Sequence, residues 1–172
     1  MKITKLGGKN FRTIKGNFEI PLNGETINLF YADNNGAGKT SALYLFLFLV
    51  ANYISGKTID EYINWDSDSM EAYTEFEFQS NKFKIEYSNI KGKANKTLFI
   101  NEEEFSGITA CNKKLKEYFD PSFFIPSVFI EQNAKNFTSI KPSDRRENLK
   151  KVFNIDFSNE VKEIEKEEKE LQ

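Results

Sequence analysis

The stretch Asn35-Gly36-Ala37-Gly38-Lys39-Thr40-Ser41 decides the fold, because it stands between an apolar segment of strand length and a run that favours helix. Residues 26–31 are the apolar segment, and the cluster Asp33-Asn34-Asn35-Gly36-Ala37-Gly38 cannot continue a strand. From Lys39 onward the residues favour helix until Ser55-Gly56 stops it. Inside that helix, residues 42–54 form the one long apolar run, too short to cross a bilayer and suited to a helix buried on all sides.

Strand, glycine-rich turn and helix, in that order, are the setting of a phosphate-binding loop. Gly36 and Gly38 let the backbone turn tightly and bring main-chain N–H groups near phosphate oxygens, while the helix N-terminus adds partial positive charge. Lys39 is placed to pair with the β and γ phosphates, and the Thr40 hydroxyl to ligate Mg²⁺. The usual pattern opens with a glycine five positions before Gly38, and Asp33 stands there. Asp tolerates a left-handed backbone, so the turn survives, but its charge beside phosphate is expected to weaken binding. A glycine-rich turn with an incidental Lys-Thr pair is the competing explanation.

Around this centre the chain reads as one mixed α/β domain. Residues 3–9 and 17–21 predict an opening hairpin around Asn10-Phe11-Arg12, closed by Asn23-Gly24. Residues 71–78 and 82–87 alternate with strand period about the turn Ser80-Asn81, and residues 96–100 add a third strand. A helix over 113–119 precedes the break at Asp120-Pro121, and residues 127–131 form a buried strand ending at Gln132. Ser143 is placed to cap a helix over 144–153. The 17 phenylalanines are read simply as core. Residues 159–172 are almost all Glu and Lys, with Val161, Ile164 and Leu171 at coiled-coil spacing; a solvated helix explains two heptads equally well.

Composition narrows the chemistry. The 172 residues have a net charge of −2, which neither favours nor excludes a polyanionic partner. One cysteine, Cys111, and no histidine leave no internal disulfide and nearly exclude a zinc site. Cys111 reads as a buried structural thiol. The first residues lack the apolar core of a signal peptide, so the expectation is a cytoplasmic or nucleoid-associated chain with no membrane partner.

The order Lys9-Asn10-Phe11-Arg12, the phosphate loop, Phe129-Ile130-Glu131-Gln132, Phe153-Asn154-Ile155-Asp156 and then a charged heptad segment is selective as a set. It resembles the N-terminal lobe of the SMC-like DNA-repair ATPases, the SbcC type in particular. The resemblance implies a P-loop NTPase fold, the N-terminal lobe of an ABC-type ATPase head with a mixed or antiparallel sheet. It spans residues 1–158, with the phosphate loop at 33–41 and a Q-loop near 132, and residues 159–172 begin a coiled coil.

Site roles follow from the same resemblance. Arg12 matches an arginine that reaches the nucleotide phosphates from the first hairpin. Ile63-Asn64-Trp65 match a segment beside the base or ribose, although core packing of Ile63 and Trp65 explains them equally well. Gln132 matches a glutamine that helps bind Mg²⁺ and senses the γ phosphate; with Lys39 it forms the catalytic pair. Asn35, Gly36, Ala37, Gly38, Lys39, Thr40 and Ser41 complete the ATP site.

A Leu-Ser-Gly-Gly signature loop, an apolar strand ending in Asp-Glu and a switch histidine are missing from the sequence. In the family these belong to a C-terminal lobe, so this chain by itself is expected to bind ATP and hydrolyse it poorly. The implied partners are that lobe, a second head, an SbcD-type nuclease subunit and DNA. Lys91, Lys93 and Lys96, with Lys113, Lys114 and Lys116, are the DNA-contact candidates, and solubilising surface is their plainer explanation. Three other readings stay open: an ATP-dependent nuclease of the overcoming-lysogenisation type, a transporter ATPase subunit, and a nonhydrolysing nucleotide-binding module motivated by Asp33.

Overall fold

In the computed structural model, the described residues are 1–24, 31, 33, 38–52, 58–121, 124–125 and 141–153. Strands β1 (Lys2–Lys9) and β2 (Asn17–Pro21) form the expected hairpin, with Gly7 opposite Glu19. Strands β3 (Ser69–Phe78), β4 (Asn81–Ile90), β5 (Lys93–Ile100) and β6 (Glu103–Ser106) follow. All six join in one antiparallel sheet of order β2-β1-β3-β4-β5-β6. Strand β6 was not anticipated, since its sequence Glu103-Glu104-Phe105-Ser106 carries one apolar residue and no readable alternation.

Alternation decides the two faces. Met70, Ala72, Thr74 and Phe76 of β3 and Phe83, Ile85, Tyr87 and Asn89 of β4 are buried on one side. Glu71, Tyr73, Glu75 and Glu77 alternate with them toward solvent. The β3–β4 turn places Gln79 and Ser80 at φ 49° and 64°, the left-handed pair that matches strand twist in a two-residue hairpin. Lys91 and Gly92 do the same between β4 and β5, at φ 50° and 79°.

Helix α1 (Lys39–Ala51) is apolar around its whole circumference, and nine of its residues from Ser41 to Ala51 are buried. It packs on the inner face of the sheet together with α2 (Ile108–Tyr118). Phe76 and Phe83 stack at 4.9 Å between ring centroids, and Phe119 meets both edge-on at 5.7 and 5.6 Å. Each ring so buried contributes about 1.5–3 kcal/mol. The α1 helix ends earlier than the sequence suggests: Asn52 adopts φ 50° and its N–H caps Leu47 O, because Asn tolerates the left-handed conformation almost as glycine does.

Two compact units divide the chain, Met1–Pro121 and Ser122–Gln172. The second contains α3 (Pro142–Phe153), which starts at a proline, so Ser143 lies in the first turn instead of preceding it as a cap. The expected strand at 127–131, residues 26–30 of the one at 26–31, the Ser55-Gly56 stop and the coiled-coil start at 159–172 fall outside the described residues, and Tyr31 is in no strand. No helix among the described residues is long and apolar enough to cross a membrane.

Candidate functional site

Residues 10–16 leave β1 in a tight loop that is pinned at several points. Asn10 and Arg12 adopt φ 53° and 52°, a left-handed backbone uncommon for residues with a Cβ. Asn10 Oδ1 accepts the Gly16 N–H at 2.8 Å, which closes the loop on itself. A second chain segment then clamps it. Arg12 N–H donates to Tyr62 O at 2.8 Å, and Asn64 N–H donates to Asn10 O at 2.8 Å, around a one-residue bridge between Phe11 and Ile63. Asn64 Nδ2 donates to Arg12 O at 2.7 Å, and Asn64 Oδ1 accepts the Asp66 N–H at 3.2 Å. Lys15 and Asp66 add an exposed ion pair at 2.8 Å.

The clamp segment follows the 3₁₀ turn Ile59–Tyr62, whose start is fixed by a capping box between Thr58 and Glu61. Phe11 anchors the loop below: it is fully buried, edge-on to Tyr62 at 5.4 Å and tilted against Phe48 of α1 at 6.0 Å.

Held this way, the loop meets the N-terminal end of α1. Thr13 Oγ1 and Ser41 Oγ lie 2.9 Å apart in hydrogen-bond contact. Gly38 caps the helix at φ 84°, and a Cβ there would stand 2.6 Å from Ile14 Cγ1, so glycine is required by both backbone and neighbour. Gly38 has no side chain to cap the first turn, and that turn holds no acidic residue, so its positive end lacks a built-in carboxylate. The Arg12 guanidinium lies 4.4 Å above the Tyr44 ring and 5.5 Å from that of Tyr62. Its Nη1 is buried and has no hydrogen-bond partner among the described residues.

Of the residues singled out in the sequence, the structure thus brings Arg12, Gly38, Lys39, Thr40 and Ser41 to one end of α1. Thr40 is exposed there, while Ser41 is 4% exposed with its hydroxyl turned to Thr13. Asn64 is 2% exposed behind Arg12. Trp65 is 81% exposed, which overturns core packing as its explanation; Ile63 is partly covered. Asn35, Gly36, Ala37 and Gln132 fall outside the described residues. Asp33 is exposed and its Oδ1 accepts a hydrogen bond from Tyr31 Oη at 2.8 Å. Thr13, Ile14 and Tyr44 belong to the site but carried no signal in the sequence, since a Thr-Ile pair after a loop and a tyrosine in a helix are ordinary.

The lysines sort differently from expectation. Lys91 and Lys93 are exposed at the β4–β5 turn and Lys113 and Lys116 on α2, but Lys96 is buried. Its Nζ donates to Leu49 O and Asn112 Oδ1, both at 2.7 Å, so it cannot contact DNA. Desolvation lowers its pKa from 10.5 to about 8. Lys114 pairs with Glu117 at 2.7 Å. Cys111 is buried as expected, its Sγ 3.3 Å from Lys96 O and Phe105 O, and burial pushes the thiol pKa up.

No protein-family model matches the chain. It is 29% identical over 126 residues to the DNA double-strand break repair Rad50 ATPase of Methanocaldococcus jannaschii, a match covering 71% of this chain and 12% of the relative. Among solved structures it resembles the recombination mediator protein RecF with ATP, with a TM-score of 0.51 and 15% identity over 86% of this chain and 36% of that one. A second RecF structure aligns over 60% of this chain and 27% of that chain, with a TM-score of 0.49 and 21% identity. The chain thus spans a small part of each of these proteins. Its fold is that of the N-terminal lobe of an ABC-type ATPase head.

Proposed function

We propose that this chain binds Mg-ATP at the N-terminal end of α1 and forms one half of a DNA-repair ATPase head. The observation that carries the reading is the buried, unpartnered Nη1 of Arg12, held beside a helix start with no acidic residue in its first turn and a glycine as its cap. A buried guanidinium N–H with no partner among the described residues is a donor lacking an acceptor beside the positive end of a helix, and a polyphosphate supplies acceptors in number. Main-chain amides at the start of α1 would cradle the phosphates, Lys39 would pair with the β and γ groups, and the Thr40 hydroxyl would ligate Mg²⁺. Ile63 and Trp65 stand on the clamp segment as the proposed neighbours of the base or ribose.

Bound Mg²⁺ would supply charge neutralisation of the transferred phosphoryl group. What this chain contributes is positioning and positive potential. The apolar strand ending in Asp-Glu that supplies the water-activating residue in the family is missing from this sequence, so hydrolysis is assigned to a head completed by a C-terminal lobe and a second copy. ATP would then act as the bond between heads, and its turnover would regulate a partner nuclease on DNA ends. The similarity to a double-strand-break-repair ATPase supports this pathway over the transporter and lysogenisation-nuclease readings.

Calorimetric titration of this chain, and of the head completed by its other lobe, with Mg-ATP tests the proposal. Binding that is lost in Lys39→Ala, with the circular dichroism spectrum unchanged, is the expected result. Absence of binding in both preparations would reject the site.

A further inference from the structure

We propose that Asn64 is a positioning residue for nucleotide binding, acting on the phosphates through Arg12 and not by touching the ligand. The inference rests on the reading of Arg12 as a phosphate ligand. Three observations carry it.

First, Asn64 is spent internally. Its Nδ2 donates to Arg12 O, its Oδ1 accepts from Asp66 N–H, its own N–H donates to Asn10 O, and the residue is 2% exposed. Both ends of the amide therefore face the protein.

Second, what Asn64 grips is strained. Asn10 and Arg12 both sit in the left-handed region, at φ 53° and 52°, one residue apart. Asn tolerates that region, but for arginine outside a tight hairpin turn it is costly, and the surrounding bonds hold it there. Asn64 bonds the carbonyl of each, and Tyr62 O takes the Arg12 N–H, so the clamp holds the loop on both sides of Phe11.

Third, the strain has a use. The left-handed turn at Arg12 sends its guanidinium over Tyr44 on α1 while Thr13 and Ile14 pack on Ser41 and Gly38. A loop free to relax into ordinary backbone would carry the guanidinium off that ring and away from the helix start. A side chain that must donate to a carbonyl while accepting from an amide has to be a carboxamide at this reach; aspartate could accept but not donate.

The test is a double-mutant cycle for Mg-ATP affinity, on this chain and on the completed head, with Arg12→Ala, Asn64→Ala, Asn64→Asp and the two double variants. Arg12→Ala is expected to weaken ATP by about tenfold or more, as loss of a charge-assisted bond. Asn64→Asp keeps an acceptor for Asp66 N–H and removes the donor, and should weaken ATP by about tenfold with Arg12 present and less than about twofold with Arg12 already removed. Thermal unfolding monitors the fold; should Asn64→Ala fail to fold, the aspartate variant carries the cycle. A general structural loss would reduce affinity equally in both backgrounds, and additivity of that kind overturns the role of Asn64. So does an Asn64→Asp chain with parental affinity. If Arg12→Ala and Lys39→Ala both leave affinity unchanged, the nucleotide site itself fails, a result distinct from additivity.

Discussion

Replacing Lys96 by Met probes the other end of α1, where a buried ammonium donates to Leu49 O and Asn112 Oδ1 at 2.7 Å each. Burial lowers this lysine from 10.5 to about 8. Below about pH 8 folded and unfolded chains both hold the proton; between that value and 10.5 the unfolded chain holds it and the folded chain has released it. Proton binding in that window favours the unfolded state, so the contribution of Lys96 to stability rises with pH. The full shift is worth about 3 kcal/mol, at roughly 1.4 kcal/mol per unit, and about 2 kcal/mol of it is reached by roughly pH 9.5. Cys111 has the opposite slope, because its thiol pKa is pushed up by burial and it sits beside Lys96 O, so both chains should carry Cys111→Ala. Urea unfolding followed by circular dichroism should then show parent minus Lys96→Met stability climbing by about 2 kcal/mol between roughly pH 7.5 and 9.5. A flat or falling difference would refute the buried, charge-disfavoured lysine.

Other substitutions test the parts separately. Gly8→Ala should destabilise the sheet by about 3 kcal/mol or more in urea unfolding, because a Cβ there stands 2.2 Å from the Glu71 carbonyl oxygen of β3 and no side chain can yield. Gly38→Ala should cost about 1–3 kcal/mol of stability and weaken ATP in calorimetry, since it forces φ 84° on alanine and drives Ile14 out of the cap. If Lys91 and Lys93 track a DNA backbone from their exposed turn, Lys91→Glu with Lys93→Glu should flatten the salt dependence of DNA affinity by about two phosphate contacts. An unchanged slope assigns them to solubility.

Strand pairs were legible wherever polar and apolar residues alternated, as in β3 and β4, and the start of α1 at Lys39 was legible because a glycine-rich cluster gives way there to residues that favour helix. Distances between loops were not. Nothing in Asn64 as a letter distinguishes a ligand contact from a clamp; the distinction lies in where residues 10–12 fold back, some fifty positions earlier. Lys96 shows the same limit. Beside Lys91 and Lys93 it looked like one basic cluster, yet alternation along β5 turns it inward, opposite Tyr87, while the turn lysines stay in water. Gly7 and Gly8 went unread for a related reason. Their role is to admit the Tyr73 ring on one face and the β3 backbone on the other, which only the register of the sheet creates.

The electrostatics of α1 explain why the site belongs at its N-terminal end. A helix buried along most of its length is poorly screened, so the partial charges at its two ends weigh more than they would at a surface. At the C-terminal end the helix has no basic residue in its last turn, and the sheet supplies one: Lys96, from β5, reaches Leu49 O. The N-terminal end receives no such compensation from acidic residues of its first turn, and the loop packed on it brings a further cation, Arg12, with an N–H left unpaired. By contrast, the concave surface of about 450 Å³ on the outer sheet face is lined by Glu75 and Glu77 as well as Lys82 and Lys84, charges that offset one another toward a polyanion. Among the described residues, the helix start combines the unpaired Arg12 N–H with a backbone that can approach closely, and a triphosphate is proposed there because its charge and acceptors answer both.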